Sequence, residues 1–168
     1  MRKINNPFRK LEGYNCFGCS PDNSLGLKMS FVEDGDEIVS TWDPESHFMG
    51  YHTVLHGGIQ ATLMDEIASW VVYVKLLVSG VTSKMEVRYL RPVYVNEGQL
   101  MIRAKVSGMR RNLADIEVQL FNHAGVLCAT AVVTYFTFSP EKSREMLYYP
   151  EPGQFFEEEN SEGSELKG

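Results

Sequence analysis

Two groups in this sequence have the type and spacing to act on a carbonyl. One is the pair Gly57-Gly58 at the start of an apolar stretch, and the other is the carboxylate of Asp65, seven residues beyond Gly58. Adjacent glycines at a helix start leave backbone N–H groups open to close approach, and these donors carry the positive end of the helix dipole. Such an end can hold an anion or a polarised carbonyl oxygen. Glycines that only permit tight packing of helix on sheet would read the same way. Seven residues make about two helical turns, so Gly58 and Asp65 share a face but stand roughly 10 Å apart. One carbonyl cannot touch both within one helix. An antiparallel copy of the helix from a second subunit would bring its Asp65 to the first subunit's glycines, which predicts a site shared between two chains. A carboxylate on so apolar a helix needs a partner or a chemical role, because burying it unpaired is costly. Glu66, about 100° further round the helix, is the alternative base.

The element that presents these groups is legible in the residues that follow. Ile59, Leu63, Ile67, Trp70, Val74 and Val78 recur at spacings of three and four, which predicts one long helix. Few polar residues interrupt it, so it is expected to be buried round most of its circumference and to need a wrapping. Lys84 to Leu90 and Ala114 to Leu120 alternate polar and apolar and read as strands with one buried face. Leu100, Ile102, Ala104 and Val106 mark another strand, and the β-branched and aromatic run from Val126 to Phe138 a long one. Asn96-Glu97-Gly98 and Asn122-His123-Ala124-Gly125 are turn signals that predict antiparallel neighbours in a meander. Leu27 to Phe31 and Glu37 to Trp42 predict a hairpin before the helix. The expected class is α+β, five or six antiparallel strands wrapped around one long central helix. The boundaries drawn are an N-terminal extension over 1–13, one domain over 14–140 and an acidic, flexible tail over 141–168.

At 168 residues, 43% hydrophobic and 23% charged, the chain can bury the core of a single domain. A net charge of −6 argues against nucleic-acid binding. The charge is uneven: eight basic and two acidic residues between Lys75 and Arg111, eight acidic and three basic from Glu141 to Gly168. The basic middle suits an anionic small molecule, or is an ordinary set of strand-surface charges. The opening residues lack the apolar stretch of a secretory signal, and Trp70 to Val78 is too short and too charged to span a bilayer, so no membrane span and a cytoplasmic location are expected. Three cysteines are too few, and odd in number, for a secreted disulfide framework. Cys16-x-x-Cys19 has no second paired set to complete a structural zinc site, so no metal is expected. None of His47, His52 and His56 forms the i, i+4 pair of a metalloprotease motif inside a helix.

The His56-Gly57-Gly58 motif with Asp65 seven positions on, Cys16-Phe17-Gly18-Cys19 with Asn23-Ser24-Leu25-Gly26-Leu27, Phe48-Met49-Gly50 and Tyr89-Leu90-Arg91-Pro92 together resemble one family. It is the acyl-CoA thioesterases of the hotdog-fold superfamily, in the branch that includes the phenylacetate-pathway thioesterase and the mammalian thioesterase superfamily members. The likeness covers roughly Cys16 to Phe138.

That resemblance implies hydrolysis of an acyl-CoA thioester without cofactor, in a homodimer or a dimer of dimers. The Gly57 amide would bind the thioester carbonyl, His56 would support the site, and Asp65 of the facing subunit would act as general base or nucleophile. Thr82 would position water or substrate, with Ser83 as the neighbour that could replace it. Gly58, Glu66, Ser83 and Arg91 are the expected substrate contacts, and Arg88, Arg103, Lys105, Arg110 and Arg111 further candidates for the coenzyme A phosphates. Gly50 is a departure, because some related enzymes carry an Asn there as a second polarising donor. Tyr51, His52 and Gln60 are weak substitutes. The superfamily also contains acyl-CoA-binding regulatory modules and acyl-thioester hydratases.

Overall fold

The computed structural model describes residues 1–156. Seven antiparallel strands, β1 (Arg2–Ile4), β2 (Phe31–Asp34), β3 (Glu37–Trp42), β4 (Gly80–Tyr89), β5 (Leu100–Arg110), β6 (Leu113–Phe121) and β7 (Leu127–Thr137), form one sheet in the order β1-β2-β3-β5-β6-β7-β4. Helix α1 (Gly57–Val71) lies across it, and a short helix α2 (Pro140–Leu147) follows β7. The alternation read in the sequence is the cause of the layering. Ala114, Ile116, Val118 and Leu120 of β6 point inward and are buried, as are Leu100, Ile102 and Ala104 of β5. They meet Leu63, Met64, Ile67 and Val71 of α1, all fully buried. Alanines at 104, 114, 129 and 131 keep this face of the sheet low, which lets the large side chains of α1 approach. Burying each Leu or Ile contributes about 1.5–3 kcal/mol.

Several expectations shift. The helix does not run evenly to Val78: it becomes a π-helical turn over Val72–Leu76 and stops where Leu77 turns left-handed at φ 57°. The strand expected from Leu27 begins only at Phe31. The meander is confined to β5, β6 and β7, because β4 pairs with β7 at the far edge of the sheet and not with β5. Asn96-Glu97-Gly98 therefore belongs to a crossover. Its first part is engaged elsewhere: Leu55 N donates to Val93 O and Val95 N to Thr53 O, both at 2.8 Å, which ties this segment to the loop ahead of α1.

Parts of the stretches 1–13 and 141–156 pack on the body of the domain. β1 pairs with β2. Phe8 and Phe155 pack on Trp70 with ring centroids 6.4 and 6.0 Å away, and Asn5 N donates to Phe155 O at 2.8 Å. Ser139 caps α2 by accepting from Lys142 N, with Pro140 in the first turn. The Glu157-Glu158-Glu159 run lies outside the described residues.

Candidate active site

α1 begins at His56, whose extended backbone (φ −57°, ψ 132°) turns the chain into the helix. The first turn of a helix has four N–H groups without intrahelical acceptors. Here His56 takes two of them, its Nδ1 accepting from Gly58 N at 2.9 Å and its carbonyl from Ile59 N at 3.0 Å, and the same carbonyl accepts the first regular helical bond, from Gln60 N at 3.1 Å. Accepting at Nδ1 leaves the proton of the neutral ring on Nε2. The Gly57 N–H has no acceptor among the described residues. Gly58 has to be small, since a Cβ there would stand 3.0 Å from His56 Nδ1. The ring also takes the room a side chain at position 50 would need: a Cβ on Gly50 would meet His56 Cδ2 at 3.3 Å.

Beside this turn runs a cleft of about 710 Å³, bounded by His56, Gly57, Gln60, Tyr51, Tyr89 and Arg91 among others. Tyr89 donates to Gly57 O at 2.6 Å and Arg91 Nη1 to Leu127 O at 2.8 Å, which fixes the far wall. Gln60 is buried with its Nε2 on Leu55 O at 3.1 Å and its Oε1 unpartnered.

Two turns along α1, Asp65 faces β4 and β7. Its Oδ1 accepts from Thr82 Oγ1 at 2.8 Å and from the Tyr135 hydroxyl at 3.0 Å, and Tyr135 also reaches Asp65 O at 3.0 Å. No donor to Oδ2 exists among the described residues. Thr82 and Tyr135 are register partners, and a bulge follows at once, leaving Ser83 unpaired between Thr82 and Lys84. The Ser83 hydroxyl donates instead to Thr134 O at 3.0 Å. Burial, reinforced by the Asp65 charge, pushes the Tyr135 phenol well up, so it stays a donor.

Glu66 is turned away from this group. It meets the Cys16–Cys19 turn, accepts from Trp70 Nε1 at 3.2 Å, and is pushed up to about 7 by burial and by the charge of Cys16. Hydrogen bonding with Cys19 draws the Cys16 thiol down to about 5. The basic candidates are dispersed. Arg103 pairs with Asp34 and Glu37, Lys105 with Glu117 and Arg110 with Asp115, and of the set only Arg91 lines the cleft.

Sequence reasoning named Asp65, Thr82, His56 and Gly57 as site residues, quoted Tyr89 only within a motif, and did not single out Tyr135. Tyr135 reads as one more core aromatic of a β-rich run; only the β4/β7 register, set by a bulge, brings it opposite Thr82.

A single long helix wrapped by an antiparallel sheet, with a glycine pair opening the helix, is the hotdog fold. Residues 52–129 match the family model of the thioesterase superfamily. Thioesterase superfamily member 2 of zebrafish is similar at 27% identity and TM-score 0.60, over 70% of this chain and 86% of that one. A hypothetical thioesterase protein of Streptococcus pneumoniae, solved with coenzyme A, shares the fold at 24% identity and TM-score 0.60, over 66% of this chain and 86% of that one. The thioesterase superfamily protein RHA08564 does so at 20% identity and TM-score 0.66; the chain matches 72% of itself to 62% of that longer protein. No curated protein sequence matches the chain. No helix among the described residues is long and apolar enough to cross a membrane.

Proposed function

We propose that this protein hydrolyses acyl-CoA thioesters to a free acid and coenzyme A, at a site completed by two copies of the chain. The observation that carries the reading is the state of Asp65: two hydroxyls hold Oδ1 while Oδ2 is left for a water or for the substrate. As general base, Oδ2 takes a proton from water, whose oxygen adds to the thioester carbonyl carbon. The C–S bond then breaks, and the coenzyme A thiolate leaves with that proton. As nucleophile, Oδ2 adds to the carbonyl carbon, the C–S bond breaks to release the coenzyme A thiolate, and water hydrolyses the resulting mixed anhydride to the free acid and the Asp65 carboxylate. In either case negative charge develops on the carbonyl oxygen, and the uncommitted Gly57 N–H at the positive end of α1 suits it. Asp65 and Gly57 of one chain are eight residues apart along the helix, about 12 Å, so the reading requires Gly57 from a facing subunit.

A paired sheet edge would supply that copy. β4 is an edge strand of ten residues, and an edge that long presents unpaired N–H and C=O groups with which another chain can pair. The fold's compatibility with coenzyme A is supported by the S. pneumoniae protein and by a Streptococcus mutans protein solved with acetyl-CoA. Solved variants of the S. pneumoniae protein replace an aspartate and a threonine sixteen positions apart, one short of the Asp65–Thr82 spacing. Arg91, on the cleft wall beside Gly57, is the cation placed for a phosphate of the carrier.

The test is thiol release from aryl-acetyl-, short-chain and medium-chain acyl-CoAs, with the signal of the protein's own three cysteines subtracted. Turnover of at least one class supports the proposal. Tight acyl-CoA binding without thiol release would replace it with a binding module, and hydration of crotonyl-CoA without thiol release with a hydratase.

A further inference from the structure

Glu66 and the Cys16-Phe17-Gly18-Cys19 turn form a second polar cluster, which thioester hydrolysis does not use. The two Glu66 carboxylate oxygens stand 3.5 and 3.7 Å from Cys16 Sγ, and one ligand atom from each of Cys16, Cys19 and Glu66 lies within 4.8 Å of the others. Around a tetrahedral zinc, with Zn–S about 2.3 Å and Zn–O about 2.0 Å, neighbouring ligand atoms are about 3.5 to 3.8 Å apart. The carboxylate and the sulfur are already spaced as such a pair.

The surroundings match a ligand set and not a chance meeting. Cys19 N donates to Cys16 Sγ at 3.4 Å, and the Tyr14 hydroxyl and Asn6 Nδ2 stand 2.9 and 3.8 Å from Cys19 Sγ. Such neighbours fix the orientation of the two sulfurs. Trp70 Nε1 holds Glu66 Oε1 from behind at 3.2 Å. A Cβ on Gly18 would stand 2.3 Å from Glu66 Oε2 and 2.4 Å from its Cδ, so the turn lacks a side chain at the point where the carboxylate seats against it. A cysteine pair that only forms a disulfide needs neither that glycine nor the glutamate. The partners of Glu66 are thiols and an indole instead of a lysine or arginine, and a buried carboxylate facing two thiols is costly without a cation.

We propose that Cys16, Cys19 and Glu66 bind one thiophilic divalent cation of the zinc class, with its fourth position facing the adjoining cavity. The pattern Cys-x-x-Cys lacks a second cysteine pair in the sequence, and Glu66 of α1 supplies the missing protein ligand. The cavity measures about 460 Å³ and is also bounded by Thr82 and Tyr135, the two residues that hold Asp65. Three protein ligands with a fourth position open to a cavity is the arrangement in which zinc carries an exchangeable ligand. The inference stands apart from the proposed hydrolysis, since none of its three ligands is a residue on which that proposal relies.

The experiment is a Co²⁺ titration of the full-length, reduced, chelator-treated protein, followed by absorption. Thiolate-to-cobalt charge-transfer bands saturating at about one equivalent per chain, and abolished by Zn²⁺, are expected. Cys16→Ser should remove the bands, and Glu66→Gln should weaken Zn²⁺ binding by about tenfold or more, with circular dichroism unchanged in both. Wild-type protein that develops no thiolate bands while all three cysteines react as free thiols would overturn the proposal without recourse to any variant. Bands that persist in both variants would overturn it as well.

Discussion

Asp65 and Glu66 are adjacent carboxylates on one helix, yet they lie in opposite chemical settings. Asp65 looks toward β4 and β7, is half-buried, and has hydroxyl donors on one oxygen only. Glu66, 100° round the helix, looks toward the N-terminal segment, is more deeply enclosed, and faces two thiols and an indole. One step along α1 thus separates the carboxylate proposed to meet a substrate from the one proposed to meet a cation. Residue type does not distinguish them. What differs is which strand or turn each side chain reaches, and that is decided by residues far away in sequence.

The widest gap between the two should appear on exchanging each carboxylate for its amide. Asp65→Asn keeps the shape and an acceptor for Thr82 and Tyr135, and is expected to lower kcat for acyl-CoA hydrolysis by about 10³-fold. Glu66→Gln touches no reacting atom and should lower it by no more than about tenfold. The reverse order would transfer the base to Glu66.

Next in size is the donor at the other end of the site. Gly57→Pro removes the free N–H and adds a ring whose Cβ would stand in ordinary contact with Tyr89, 3.5 Å away; proline is tolerated at the first helical position, and the His56 backbone already has the extended conformation a following proline requires. With folding intact, kcat/KM should fall by about 10²-fold, as for loss of one oxyanion donor. Tyr135→Phe then frees Asp65 from one of its two holders. About a tenfold loss in kcat with little change in KM is expected from the misplaced carboxylate; a loss confined to KM would make Tyr135 a binding group instead.

The smallest effect concerns the frame. Glu33 on β2 takes Lys75 Nζ at 2.5 Å and Arg2 at 2.9 Å. Partial burial raises its carboxyl, but the two cations outweigh this and leave it below its usual 4.5. A depressed carboxylate contributes stability above its unfolded value and loses it as pH falls through the folded one. Lys75→Met should therefore cost about 1 kcal/mol at pH 7, with the difference from wild type shrinking as the medium becomes more acidic than pH 4.5, measured by urea unfolding.

Much of this arrangement is legible in the residues. The 3-and-4 spacing from Ile59 onward makes α1 visible, and the alternation in 84–90, 100–106 and 114–120 makes its wrapping visible, because each pattern records a single buried face. Gly57 and Asp65 are legible too, since glycines at a helix start and a charge on an apolar helix each need an explanation. Tyr135 is not, because its hydroxyl matters only through pairing with β4, and the position of β4 depends on a crossover that local turn signals misread as a hairpin. The Cys16–Cys19–Glu66 group is hidden for a similar reason: 47 residues separate its last two members, and nothing in either neighbourhood points to the other.

The account depends most on a site assembled from two chains, and mixing variants tests that directly. Asp65→Asn and Gly57→Pro proteins would be unfolded together in equal amounts and refolded, then assayed for thiol release. If Asp65 works against the Gly57 of a facing subunit, half of the dimers are mixed and each has one intact site of two, so about one quarter of wild-type activity returns. A mixture no more active than its parents would contradict the shared site and place the reaction, if any, within one chain.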